Sequence, residues 1–194
     1  MKKKGLTFLK RLIAFSLILC LALFFSACSN EMSPVENALI AVKGMDVNAF
    51  ASYMMSDSEA ALSRIVTSFE TGLTAEEKET MKDLYSLIRY TMGEEVSLSE
   101  DTKTVTVSVK IPDMARVRTL TEKKILVSAE TANDVISGML ESGEIAGYYM
   151  LDATWQIVMK KEDGNWRISY ADKANESFVS ALHLTEMTAF FAQN

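Results

Sequence analysis

Beyond residue 28 this 194-residue chain contains no cysteine, and its whole length holds one histidine and two prolines. The missing thiols exclude disulfides, cysteine nucleophiles and thiolate metal sites from everything after Cys28. A lone histidine, His183, excludes a serine–histidine triad and a histidine-rich metal site, and the spacing around it reads as an ordinary helix residue. Pro34 and Pro112 are too few and too far apart for a proline-rich linker, and no repeat or low-complexity tract interrupts the chain. Basic charge is also scarce. Five of the 20 Lys and Arg lie in the first 27 residues with no acid beside them, so residues 28–194 carry 15 cations against 26 acids, a net charge of −11. That balance argues against nucleic acid as a partner and against docking on anionic lipid by net charge.

The first residues are of another kind. Lys2, Lys3, Lys4, Lys10 and Arg11 precede an apolar run from Leu12 to Phe25, which is short for a spanning helix. The run closes on Phe25-Ser26-Ala27-Cys28, which resembles the lipobox of bacterial lipoproteins, with Phe25 where leucine is usual. The resemblance implies a signal peptide over 1–27, a diacylglyceryl thioether on Cys28, and a short lipidated tether over 28–33. The folded part would be a single domain over 34–194, held on the extracytoplasmic face of a membrane by its acyl chains.

From Ser33 the pattern is helical. Ser33-Pro34-Val35-Glu36 reads as an N-cap, a first-turn proline and a capping box. Val35, Ala38, Leu39 and Val42 then recur at helical spacing up to Gly44. Asp46 is placed to cap a second helix bearing Val47, Phe50, Ala51 and Met54. A third carries Leu62, Ile65, Val66 and Phe69. Thr74-Ala75-Glu76-Glu77 opens a fourth, with Met81, Leu84, Tyr85 and Ile88, expected to end at Gly93. The acid run Glu76-Glu77-Lys78-Glu79 reads as its solvated face, because it lacks the ligand spacing of a calcium loop.

The period then becomes two. Val96 and Leu98 alternate with serines, and Val105, Val107, Val109 and Ile111 with Thr, Ser and Lys, predicting a hairpin tipped by Asp101-Thr102. Its register would pair Leu98 with Val105, Val96 with Val107 and Glu100 with Lys103. Residues 113–143 return to helix, with a restart near Thr131 and an end bracketed by Gly143 and Gly147. Tyr149, Leu151, Ala153, Trp155, Ile157 and Met159 make one face of a long strand, and Asp163-Gly164 is a two-residue turn signal. Closing on that turn pairs Met159 with Ile168 and Ile157 with Tyr170, and sets Lys160 against Arg167, a like-charge pair that needs an acidic neighbour or solvent. Glu176 to Phe191 reads as one final helix.

Helices, a hairpin, further helix and a second hairpin make an α+β fold, with N-terminal helices packed on an antiparallel sheet. The helix pair Val35 to Tyr53 around Gly44-Met45-Asp46-Val47, and the hairpin Glu162-Asp163-Gly164-Asn165-Trp166, resemble small bacterial lipoproteins with a nuclear transport factor 2-like (cystatin-like) domain. The resemblance covers roughly residues 34–180. It implies a curved sheet wrapped into a cone, and it spans enzymes such as ketosteroid isomerase as well as binding modules, so it does not transfer a function.

Among the candidate site residues, Tyr53, Tyr85, Tyr148, Tyr149, Trp155, Trp166 and Tyr170 would either line such a cone or fill the core. Asp46 and Asp152 are the acids nearest apolar segments, but Asp46 reads as a cap and Asp152 has the parity opposite Trp155. The methionines are scattered, with Met54-Met55 the one adjacent pair, which favours core filling over copper ligation. No cofactor or metal is expected. The sequence points to a binding or interaction module for a small apolar ligand or another envelope protein, with a homodimer through the sheet as one arrangement. The alternative is an isomerase- or hydratase-like enzyme in the same cavity, which would need a buried carboxylate of raised pKa beside tyrosines.

Overall fold

In a computed structural model, the structure describes residues 32–170 and 172–193. The expected signal peptide and Cys28 lie outside the described residues. Ser33 opens the compact unit that carries the fold. Four helices come first: α1 (Pro34–Lys43), α2 (Val47–Ser52), α3 (Glu59–Gly72) and α4 (Ala75–Ser86). Strands β1 (Arg89–Ser97) and β2 (Thr102–Pro112) follow, then α5 (Met114–Ile125), α6 (Ala132–Glu141) and α7 (Glu144–Tyr148). Strands β3 (Met150–Glu162) and β4 (Asn165–Ile168) complete the sheet, and α8 (Glu176–Leu182) and α9 (Leu184–Gln193) end the chain. The α+β class expected from the patterning is what the chain forms.

The sheet is an open antiparallel meander in the order β1–β2–β3–β4, with α5 to α7 inserted between its two central strands. One face is apolar: Val105, Val107, Val109 and Ile111 of β2 are buried with Trp155, Ile157 and Met159 of β3 and Ile168 of β4. Helices α1, α4 and α8 supply the other half of this core through Val35, Leu39, Val42, Met81, Leu84, Tyr85, Phe178 and Leu182. On the other face Thr106, Ser108, Lys110, Asp152, Thr154 and Gln156 are exposed. Alternation at period two thus puts one face in the core and one in water.

Several local expectations hold and several are corrected. Asp46 caps α2 by accepting from the Ala49 N–H at 2.9 Å. Thr74 and Glu77 form a reciprocal capping box, and so do Thr131 and Asp134 where the second helix of the 113–143 segment restarts. Ser33 does not cap α1: its hydroxyl lies 3.9 Å from the Met159 sulfur, so no capping box forms there. The residue that turns α1 is Met45, not Gly44. Met45 takes the left-handed conformation (φ 50°), while the Asp46 N–H reaches the Ala41 carbonyl and the Met45 N–H reaches Val42, a Schellman closure one residue later than the glycine suggested.

Helix α4 stops at Ser86 rather than Gly93, and Arg89–Ser97 is extended. Here tertiary pairing with β2 overrides the local helical pattern. A Cβ on Gly93 would sit 2.8 Å from the Thr106 carbonyl oxygen, so this backbone approach admits only glycine without a shift. The register is also corrected: the chain turns over a loop at 98–101 rather than on Asp101-Thr102, and a bulge at 93–94 lies further along β1. Met92 pairs with Val107, Glu95 with Val105 and Val96 with Thr104, so Lys103 faces Ser97 and bridges Glu95 at 3.7 Å instead of opposing Glu100. Thr102 belongs to β2, not to the tip, and Val96 and Leu98 end up exposed.

The second hairpin closes as expected on Asp163-Gly164, both at positive φ, with Met159 opposite Ile168 and Lys160 opposite Arg167. The Lys160/Arg167 repulsion is answered by acids: Asp172 lies 2.6 Å from the Lys160 ammonium and Glu162 lies 3.4 Å from Arg167. The ladder ends at Ile168, so the Ile157–Tyr170 pair does not form. The outer edge of Ile168 is instead taken by Tyr53 and Met55, whose carbonyl and N–H bond it in a short parallel bridge. Gly147 lies inside α7, and the final helix is broken at His183 (φ 47°) into α8 and α9.

Candidate binding site

The loop after α2 and the start of α3 lean on the β3–β4 hairpin, and a groove of about 460 Å³ runs between them. Its apolar side comes from Met54, Met55, Leu62 and Val66, because the helical spacing of α3 turns Leu62 and Val66 the same way. Its polar side comes from Ser56, Glu162 and Arg167. The Glu162 carboxylate accepts from the Ser56 hydroxyl and from the Ser56 N–H at 3.2 Å, and it pairs with Arg167. The Arg167 guanidinium in turn donates to the Ser52 and Met54 carbonyls at the C-terminal end of α2. This network is neutral in sum and internally satisfied, so these three residues fix the groove's shape, and the carboxylates of Glu59 and Asp163 also line it. What remains open to a ligand is the half-buried surface of Met55 and Val66, with Met54 and Leu62 themselves buried, beside a hydrogen-bonding rim.

A second cavity of about 460 Å³ lies on the solvated face of the sheet. Cross-strand register sets Arg89, Lys110 and Asp152 in one row and Thr91, Ser108 and Thr154 in the next. It is wet and polar, and unlike the first it has no helix covering it among its lining residues.

The aromatic candidates are placed differently from one another. Trp155 is buried, edge-on to Phe178 with ring centroids 5.2 Å apart. Tyr85 is fully buried and donates to the Leu182 carbonyl, and burial, with Glu186 and Tyr170 nearby, pushes its hydroxyl far above the ordinary tyrosine range. Tyr170 is half-buried and raised for the same reasons, burial first and Glu186 second. Tyr53 is half-buried, and its backbone is bound to β4. Trp166 carries the Lys103 and Lys161 ammoniums over its ring at 4.7 and 5.5 Å. Tyr149 sits at the opposite end of β3 under Arg116, 4.8 Å from its ring, and donates to Glu144 at 2.9 Å. Tyr148 is exposed. Trp155 and Tyr85 meet α8 at Phe178 and Leu182, Tyr170 lies by Thr185 and Glu186 of α9, and Trp166 and Tyr149 lie a strand's length apart.

Asp46 is used as a cap, and Asp152 is exposed opposite Lys110. His183 lies 3.9 Å from Glu186 across the helix break. Among the described residues no cluster of three or more His, Cys, Asp or Glu is placed to hold a metal. The groove residues Ser56, Glu162 and Arg167 escape sequence reading, since they meet across 106 and more positions. The one signal was the like-charge Lys160/Arg167 pair, which demanded acids nearby.

No family model and no curated protein matches the chain. Among solved structures the chain is similar to a crystal structure described as that of a lipoprotein (ycdA) from Bacillus subtilis, at 13% identity and a TM-score of 0.40. The likeness covers 76% of this chain and 57% of that one, so this chain spans little more than half the length of the protein it matches.

Proposed function

We propose that this chain is a lipid-anchored, extracytoplasmic binding module whose groove between α2–α3 and the β3–β4 hairpin receives an apolar group of a small ligand or of another envelope protein. The anchor half of this reading rests on the basic start, the apolar run and Phe25-Ser26-Ala27-Cys28. No described helix is long and apolar enough to cross a membrane. The nuclear transport factor 2-like reading is supported by the helix pair joined at Met45-Asp46 and by the register of the Asp163-Gly164 hairpin. The observation that carries the binding half is the Met54, Met55, Leu62 and Val66 wall, held open beside a satisfied Ser56–Glu162–Arg167 rim. An isomerase- or hydratase-like activity would need a carboxylate of raised pKa held by tyrosine. The carboxylate that tyrosine does hold, Glu144, is shifted the other way, below its ordinary range, by the Tyr149 hydroxyl and then by Lys124.

Native mass spectrometry of the full chain, purified gently in detergent from its own host, tests the groove. We expect a retained ligand or partner mass that is lost in Val66→Asp and kept in Ser108→Asp on the far face of the sheet. A bare chain, or a bound mass indifferent to Val66→Asp, would overturn the assignment.

A further inference from the structure

The groove between α2–α3 and the β3–β4 hairpin carries more negative charge than its apolar floor suggests. Three carboxylates line it, those of Glu59, Glu162 and Asp163, against one cation, Arg167. Arg167 is already engaged by Glu162 and by the Ser52 and Met54 carbonyls. Glu59 and Asp163 are exposed, and among the described residues neither side chain has a hydrogen bond or an ion pair. They belong to different walls, Glu59 to the start of α3 and Asp163 to the hairpin turn. Each has a local reason for its place. An acid suits the first turn of a helix, and aspartate before glycine suits a tight hairpin. Neither reason gives the charge a partner, so both carboxylates are open to a cation brought by a ligand.

We infer that this groove takes a basic segment of a partner protein, with one apolar side chain seated on Met55 and Val66 and a lysine or arginine on either side of it reaching Glu59 and Asp163. The inference rests on the groove being the binding site. The sign of the partner follows from Coulomb's law. Residues 28–194 carry a net charge of −11, and the lining offers an incoming cation two unpaired carboxylates but offers an incoming anion no unpaired cation. That the partner is a protein segment follows from the floor. Met54 and Leu62 are buried, so the apolar surface left to a ligand comes chiefly from the half-buried Met55 and Val66. Such a floor seats a single side chain, whereas a small-molecule site encloses most of its ligand. A chain segment leaves its remainder outside and brings its cations beside the apolar anchor, which is the usual layout of an anchor within a polar rim. The flexible thioether of Met55 adapts to the anchor it meets.

The test uses the full chain in a nonionic detergent, with isotope-labelled methionine methyl groups read by NMR. It is titrated with three short capped peptides in which one leucine is flanked by lysines, by serines or by glutamates. The Met55 methyl resonance, assigned by its loss in Met55→Leu, reports on the groove directly. The lysine peptide is expected to shift it saturably, the serine peptide more weakly and the glutamate peptide not at all. In the double variant Glu59→Gln/Asp163→Asn the lysine peptide should bind roughly fivefold more weakly, as the loss of two exposed ion pairs predicts, and no better than the serine peptide. Added salt should have the same effect. Asparagine before glycine keeps the hairpin turn, and unmoved resonances of the buried Met81 and Met114 report an intact core. Equal affinity for the three peptides, or a lysine preference that survives the double variant, overturns the basic partner and leaves the groove a binding site. No shift with any peptide overturns the groove and the partner together.

Discussion

Asn175 and Asp172 do with two side chains what a longer β4 would otherwise have done. The ladder from β3 stops at Ile168, leaving Val158 without a strand partner on that side. The Asn175 amide fills the gap: its carbonyl accepts from the Val158 N–H at 2.8 Å, and its NH₂ donates to Val158 and Ser169 at 3.0 and 2.8 Å. Asp172 starts the short 3-10 turn that delivers it, accepting from Ala174 at 2.9 Å while binding Lys160. The Lys160 hydrogen bond, and then the Ala174 N–H, hold the Asp172 carboxyl below the usual carboxylate range. A depressed folded-state pKa means the charged form favours folding. The contribution is therefore complete above the unfolded value of about 3.9 and is lost as pH falls through the lower folded value. For a pair this close to solvent we expect Asp172→Asn to cost about 1 kcal/mol at pH 7. Urea midpoints measured down to pH 2 should show that gap closing from about pH 5 downward as the wild-type carboxylate protonates. A gap constant with pH would assign the cost to the cap alone.

At the scale of elements, two of the breaks fall at non-glycine residues. Met45 and His183 both adopt φ near +50°, a conformation that costs an L-residue roughly 1–2 kcal/mol. Met45 offsets the strain by burying its side chain to 5% exposure in the core. His183 has no such burial, and its place is set by what lies on either side. Leu182 and Leu184 are both buried, and a continuous helix could not point two residues at this spacing into the same core. The break is thus imposed by packing. We expect His183→Gly to raise the unfolding midpoint slightly and His183→Val to lower stability by about 1–2 kcal/mol. A thermal melt of the two variants checks it, and equal melting points would remove the strain argument. The same reasoning explains why α4 yields to β1 at Ile88, which is wholly buried. From there the chain gains a full ladder with β2 that a longer helix would forfeit.

At the scale of the molecule, the sheet's apolar face is closed by helices from both ends of the chain. Leu39 and Val42 come from α1, and Phe178 and Leu182 from α8, with Phe178 covering Trp155 and Leu182 receiving the Tyr85 hydroxyl. α9 then packs against α3, α5 and α6 through Leu184, Met187 and Phe191. A chain truncated after Asn175 would lose Phe178 from over Trp155 and the Leu182 carbonyl that receives the Tyr85 hydroxyl, opening both side chains to water. We expect that truncation to abolish cooperative urea unfolding and to shift Trp155 emission to the red. A sharp transition with blue emission would show that the first seven helices and the sheet suffice.

What the sequence determined by itself is whatever depends on local chemistry or on strict period. Caps at Asp46, Thr74 and Thr131, the Asp163-Gly164 turn with its Met159–Ile168 register, the inward parity of Trp155 and the need for an acid near Lys160 all follow from neighbours a few residues apart. So does the α+β class. The tertiary structure alone decided where locally ambiguous segments went. It turned residues 89–93 from helix to strand, slid the first hairpin's register by a longer loop over 98–101, ended β4 at Ile168 and broke the last helix at His183. It also built the groove, because Ser56, Glu162 and Arg167 meet only when the loop after α2 crosses the second hairpin. Side chains more than 100 positions apart leave no periodic trace in a sequence, and their meeting is set by the packing that closes the core.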